Sequence, residues 1–287
     1  MSEEILINVT PVETRVALVE NGMLQEAYIE RTSRKGIVGN IYKGKVVRVL
    51  PGMEAAFVDI GLERAAFIHA SDVVPAPQDE EETPGPRTVP DIRSLLREGQ
   101  SLVVQVTKDP IGTKGARLTT QLSIPSRFLV FMPGVSHIGV SQRIEDEEER
   151  ARLKNLVEQA ASEDETASGG YIIRTAAEGA SDEDVVADMA YLHRVSRSVQ
   201  ERMEKAPAPS VVYKDLPLFI RTVRDLIRPQ TEKIRIDSRE SHERVMEFVR
   251  EFVTEFADRV EYYPGERPIF DLYSVEDEIQ KALSRKV

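Results

Sequence analysis

The chain has no cysteine, so disulfides and thiolate metal sites are excluded from its 287 residues. No apolar run approaches the roughly 20 residues of a membrane-spanning helix. The N-terminus, MSEEILINV, has neither a basic start nor a long apolar stretch, so it does not read as a secretory signal. The cytoplasm follows by default. Catalytic signatures are missing too. There is no P-loop, GxGxxG or GxSxG motif, and none of His69, His137, His193 and His242 makes the HExxH spacing of a zinc site. No internal repeat and no extended low-complexity segment occurs.

The composition, 30% charged and 41% hydrophobic, is that of a soluble globular protein. The length suggests about two or three domains. Net charge is −11, from 38 basic and 49 acidic residues, which on its face argues against a nucleic-acid partner. The charge is unevenly spread, however. Residues 38–144 hold 12 Lys/Arg and 11 Asp/Glu, and four of those acids are the run Asp79–Glu82 in a Pro-rich stretch. Residues 145–215 hold 9 bases and 17 acids. A basic patch can be local, and here it belongs in the first of these segments.

That segment contains NIYKGKVVRVLPGMEAAFVDIGLERAAFIHASDV, from Asn40 to Val73. Short apolar runs alternate with Gly-centred turns. Phe57 and Phe67 flank Gly61, and Lys43, Lys45 and Arg48 precede them. Five short strands are expected near 41–49, 53–59, 65–69, 101–108 and 115–120, which suggests a small Greek-key barrel. The acidic, Pro-rich part of 76–100 reads as a solvated insertion, followed by a short helix over Asp91–Glu98.

Upstream, Ile5–Val9, Arg15–Glu20 and Met23–Ile29 read as a meander with an Asn21-Gly22 hairpin turn, and Thr32–Gly36 as a linker. Downstream, FLVFM (128–132) and YIIR (171–174) are strand-like. Helices are expected over 145–161 and 182–204, the second opened by the capping pair Ser181 and Asp184. APAPS (206–210) reads as the clearest linker. Residues 215–287 alternate as helix 216–227, strand 233–236, helix 239–256, strand 259–263 and helix 274–286 with a capping start at Ser274, an α/β pattern. Val287 is reached with no helix terminator, which reads as a fragment end.

Two constellations carry chemistry. On the barrel, Phe57, Phe67, Tyr42, Lys43 and Lys114 lie on or beside strands, where aromatic faces stack bases and lysines meet phosphates. Alternatively, the phenylalanines are barrel core. In the second, Arg174-Thr175 ends an apolar strand. A guanidinium fork beside a hydroxyl suits a terminal phosphate, or Arg174 is structural and pairs with a carboxylate. Adjacent acids such as Asp146-Glu147 and Glu276-Asp277 fit solvated helix faces and first turns better than a catalytic dyad. Residue types alone reveal no catalytic centre.

These residues resemble the ribonuclease E/G family. The resemblance is carried by ILINVTPVETRVALVENG, RKGIVGNIYKGKVVRVLPGMEAAFVDIGLERAAFIHASD, REGQ, DPIGTKGARLTT, FLVFMPG, GYIIRTAAEG and PIFDLYSVEDEIQKAL, in order along essentially the whole chain. It implies an α+β multidomain fold. An RNase H-like α/β subdomain (1–37 and 218–287) is interrupted by an OB-fold RNA-binding barrel (38–125, with the acidic insertion 76–90) and a 5′-monophosphate sensor (126–217). It implies cleavage of single-stranded RNA stimulated by a 5′-monophosphate, in rRNA and mRNA processing, by a homo-oligomer. The family's barrel residues fall on Phe57, Phe67 and Lys114, and its sensor residues on Arg174, Thr175 and Val130. Ser126 stands where family members carry a sensor glycine, and Gln142-Arg143 where they carry two arginines. The family's Mg2+-binding catalytic aspartates and its zinc-binding cysteine pair, which bridges subunits, belong to a segment beyond Val287. This chain is therefore expected to be an inactive RNA-recognition half. The rival expectations are a non-catalytic single-stranded RNA-binding adaptor, and an α/β enzyme with a separate site in 215–287.

Overall fold

The computed structural model describes residues 2–73, 90–163, 169–228, 230–252 and 254–283. The acidic stretch of the insertion therefore lies outside the described residues. Two compact units emerge, Met1–Gly36 with Leu216–Val287, and Ile37–Asp215.

The first unit is a five-stranded mixed sheet in the order Val260–Tyr262, Thr231–Ile236, Glu3–Val9, Glu13–Glu20, Met23–Arg31. Glu3–Val9 runs parallel to Thr231–Ile236 and antiparallel to Glu13–Glu20. It is buried on both faces, which explains its unbroken apolar run. Ile5 and Ile7 pack under helices Leu218–Leu226 and Arg239–Phe252. Leu6 faces the opposite layer, with Ile269, Phe270, Val275 and Ile279. The expected hairpin turn is present, with φ +49° at Asn21 and +80° at Gly22. One expected helix in this unit gives way early. The helix from Arg239 stops at Phe252 and a 3-10 turn, Thr254–Arg259, follows. Before the last expected helix, described over Val275–Leu283, lies a further short one, Ile269–Leu272. Ser274 between them adopts φ +56°, a left-handed link rather than the extended backbone of an N-cap.

The second unit contains a closed barrel. Strands Ile41–Leu50, Ala55–Asp59, Ala66–His69, Arg117–Thr119 and Ser101–Lys108 pair in that order, and the last pairs back to the first. The short helix Ile92–Leu95, capped by the Asp91 side chain, contributes Ile92 to the barrel core. A four-stranded sheet follows, ordered Ile138–Val140, Gly169–Ile173, Leu129–Pro133, Ile124–Pro125. Its inner face, with Phe131, Tyr171 and Ile173, shares a core with Leu153 and Val157 of helix Glu147–Glu163 and Val185, Met189 and Leu192 of helix Asp182–Lys205. The Ser181 hydroxyl accepts from Asp184 N–H, as a capping residue should.

The 206–210 stretch is not simply a linker. Ser210 opens a strand, Ser210–Tyr213, that pairs antiparallel with the start of Ile41–Leu50. Val212 and Ile41 join the core of the neighbouring sheet and helices. Shared apolar burial thus runs across residue 125, where the family resemblance implies a boundary.

Gly115 lets the barrel close. A Cβ there would sit 2.1 Å from the Ala65 carbonyl oxygen, in backbone that cannot swing aside. Gly115→Ala is expected to destabilise the barrel by about 1–3 kcal/mol through overpacking. A urea midpoint unchanged from wild type would show that the contact relaxes.

Candidate nucleic-acid interface

Barrel closure forces alternate side chains inward and outward. Ala56, Val58, Ala66 and Ile68 point into the core. Phe57 and Phe67 between them point out, and are cross-strand partners in register. Their ring centroids are 6.4 Å apart at an interplanar angle of 63°, edge to face. Both are half-buried, so the alternative of barrel core does not describe them. The register extends the pair into a row across the barrel. Arg48 is opposite Phe57, Arg117 opposite Phe67, and Lys108 opposite Arg117. Arg48, Lys108 and Arg117 are all exposed. The aromatic pair is therefore flanked on both sides by cations. Arg117 is steadied by Asp72, at 2.9 Å. His69, two residues beyond Phe67, lies on the same face and bonds the Ser71 hydroxyl at 2.8 Å.

Lys114 is exposed in the turn after Lys108, where its main chain exchanges two bonds with Ile111. Two of the expected barrel residues are placed elsewhere. Tyr42 is 6% exposed and belongs to the barrel core, so its ring offers no face to a base. The Lys43 ammonium donates to the Met203 carbonyl at 2.8 Å, near the end of helix Asp182–Lys205. That terminus carries the negative end of the helix dipole and holds the lysine structurally. Arg117 and Lys108 had no signal in composition; strand register alone aligns them with the aromatics.

Arg174 follows strand Gly169–Ile173, and Thr175 opens a 3-10 turn, Thr175–Ala177. The Arg174 Nη1 donates to the carbonyls of Ser126 and Arg127. Thr175 is exposed, its hydroxyl 3.0 Å from that of Ser141. Ser141 also meets the main-chain N–H of exposed Arg143, at 3.4 Å. Val130 pairs in register with Ile172, which is 40% exposed, on the side of the sheet away from the helices. The unanticipated Ser141 hydroxyl thus links the main chain of Arg143 to Thr175, the chain neighbour of Arg174. Ser126 departs from expectation. It is 1% exposed and its hydroxyl bonds the carboxylate of Asp188, so its side chain does not face a ligand.

The family profile described as the S1 RNA binding domain matches residues 35–110, which contain most of the barrel. That of the ribonuclease E/G family matches residues 123–287. The chain belongs to the ribonuclease E/G family. Ribonuclease G of Salmonella typhimurium (strain SL1344) is 55% identical over all of this chain and 58% of its own length. Ribonuclease G of Haemophilus influenzae is 56% identical over 99% of this chain and 57% of its own length. Ribonuclease E of Escherichia coli (strain K12) is 34% identical over 99% of this chain and 27% of its own length. The chain thus spans less than two thirds of each. No helix among the described residues is long and apolar enough to cross a membrane. Among those residues no group of three or more His, Cys, Asp or Glu side chains could hold a metal ion. The magnesium and zinc that the resemblance implies therefore find no matching donor set among the described residues, and no reaction step is derived through them.

A clamp on the other side of the Thr175–Ala177 turn holds this family-specific part in shape. Glu149 accepts from Arg152 at 2.7 Å and from Gly179 N–H at 2.9 Å. Arg152 also bonds the Ala180 carbonyl and Asp182. The Arg152 guanidinium, helped by Gly179 N–H, pulls the Glu149 carboxyl down to about 2. A carboxyl lowered on folding stabilises the native state above its unfolded value, and that stabilisation fades as pH falls toward the folded one. The clamp is expected to weaken progressively below about pH 4.5 and to be gone near pH 2. Carboxyl-carbon NMR should follow the Glu149 titration, and Arg152→Ala should raise its midpoint; a midpoint in the ordinary glutamate range in the wild type would contradict the clamp.

Proposed function

We propose that this chain is the RNA-recognition part of a single-strand-specific endoribonuclease that is stimulated by a 5′-monophosphate and acts in rRNA and mRNA processing in the cytoplasm. The observation that carries the reading is the row Arg48, Phe57, Phe67, Arg117, Lys108 across a closed barrel. Unpaired bases stack on the two rings, and the cations on either side, with Lys114 beyond them, take the phosphates. A duplex keeps its bases stacked on one another and denies them to the rings, so the surface favours single strands. In this reading residues 38–125 form the RNA-binding domain and 126–217 the 5′-end sensor. Residues 1–37 with 218–287 form an RNase H-like subdomain, and the whole enzyme works as a homo-oligomer.

At the sensor, Arg174 binds the terminal phosphate and the Thr175 and Ser141 hydroxyls complete its coordination. Val130 offers an apolar contact to the first nucleotide, and exposed Arg143 adds long-range attraction. Bond cleavage is assigned to no residue of this chain; hydrolysis by the chain alone, with magnesium added, would show that assignment to be too narrow.

Fluorescence anisotropy with one single-stranded oligonucleotide, carrying either a 5′-monophosphate or a 5′-hydroxyl, separates the two surfaces. Phe57→Ala should weaken binding of both forms by about tenfold, since a stacked base contributes about 1–3 kcal/mol. Unchanged affinity for both would remove the aromatic pair from the interface. Arg174→Ala should weaken the phosphorylated form alone, by about tenfold or more, as expected for loss of a charged hydrogen bond of about 1.5–3 kcal/mol. Equal affinities of the wild-type chain for the two forms would end the sensor assignment.

A further inference from the structure

Asp188 lies on the inner face of helix Asp182–Lys205 and is 9% exposed. Its Oδ2 accepts from the main-chain N–H groups of Phe128 (2.9 Å) and Leu129 (3.1 Å) and from the Ser126 hydroxyl (2.5 Å). The main-chain N–H of Arg127 donates to the same carboxylate. The carbonyls of these peptide groups face the opposite way. Those of Ser126 and Arg127 accept from Arg174 Nη1, the latter at 3.3 Å, and that of Phe128 accepts from the Arg174 main-chain N–H at 2.8 Å.

Each of three successive peptide planes therefore has its N–H end on the Asp188 carboxylate and its C=O end on Arg174. Two of these dipoles are aligned between opposite charges and the third between the carboxylate and the Arg174 main-chain N–H, and hydrogen bonds in such a chain polarise one another. The main-chain N–H groups of 127–129 favour the ionised carboxylate, against burial, which raises the Asp188 pKa; the Ser126 hydroxyl is shared between Asp188 and the Leu129 carbonyl, at 3.0 Å. On the far side, two carbonyls on one guanidinium nitrogen restrict the plane and reach of the Arg174 side chain.

We propose that Asp188 is a positioning residue for Arg174, presenting its guanidinium to a terminal phosphate by way of the 126–129 turn. The proposal rests on Arg174 being the phosphate ligand. Asp188 itself touches no RNA. It also gives the Ser126 hydroxyl a role, as one of the four donors that hold the carboxylate, where the expected role at the ligand is ruled out by burial.

The test uses the 287-residue chain and the ratio of its affinities for 5′-monophosphate and 5′-hydroxyl forms of one single-stranded oligonucleotide. Asp188→Asn keeps the size of the side chain but removes its charge. It should lower the ratio by about fivefold or more while the 5′-hydroxyl affinity, set by the barrel, stays within about twofold of wild type. Ser126→Ala removes one donor of four and should lower the ratio in the same direction by about twofold. Arg174→Ala should abolish the preference. If Arg174→Ala abolishes it and both Asp188→Asn and Ser126→Ala leave it intact, the positioning role is overturned while the sensor survives. If the wild type shows no preference, or Arg174→Ala leaves it unchanged, the sensor reading fails and this proposal falls with it. Thermal melting identifies an Asp188→Asn chain that has not folded, and Ser126→Ala then decides alone.

Discussion

The ladder between Ile41–Leu50 and Ser101–Lys108 is the constraint on which the rest of the proposed RNA-binding surface depends. It turns an open meander into a closed barrel. A closed barrel has an inside, and each strand must then commit alternate residues to it. Val46, Val58, Ile68 and Leu118 fill the interior. What remains outside is not chosen freely. Phe57 and Phe67 come into register there because Val58 and Ile68 are needed within. Small residues at Ala56 and Ala66 let the two strands carry large rings on the other face without crowding the core.

The same logic of paired faces runs through the second sheet. Phe131, Tyr171 and Ile173 are taken up by the two helices, which leaves Val130 and Ile172 on the open side. Arg174 follows where the strand ends. A guanidinium there needs restraint, and the 126–129 turn supplies two carbonyls to it and a third to the Arg174 main-chain N–H, while Asp188 holds the amides from the other side. The clamp of Glu149 and Arg152 grips Gly179 and Ala180 just beyond the Thr175–Ala177 turn. Exposed Thr175 is thus flanked by two rigid attachments, one before it and one after it.

Much of this was legible in the residues. The hairpin at Asn21-Gly22, the Ser181 cap and the five barrel strands are local features, each set by a few neighbouring side chains. The errors fall where distant segments compete for a position. Tyr42 looks like one more barrel aromatic until its strand is placed, when it turns out to face the core. Lys43 reads as a phosphate ligand because nothing local reveals that the helix carbonyl of Met203, 160 residues later, will occupy it. Arg48 precedes Phe57 by nine positions, and they meet only because the register shifts at Val47. Ser126 marked a position in a family pattern, but its neighbour Asp188 lies on a helix more than sixty residues away.

The sequence by itself determined which residues are apolar, where turns of φ > 0 are affordable and where helices begin, because these depend on side-chain volume and on hydrogen bonds a few residues long. From these come the strand list, the helix starts and the family. Tertiary structure alone decided which cations stand beside the aromatic pair, which candidate ligands are buried, and that Asp188 and Arg174 address the same three peptide groups from opposite sides. Those outcomes are set by register and by the packing of segments far apart in the chain, where a shift of one residue exchanges an exposed face for a buried one.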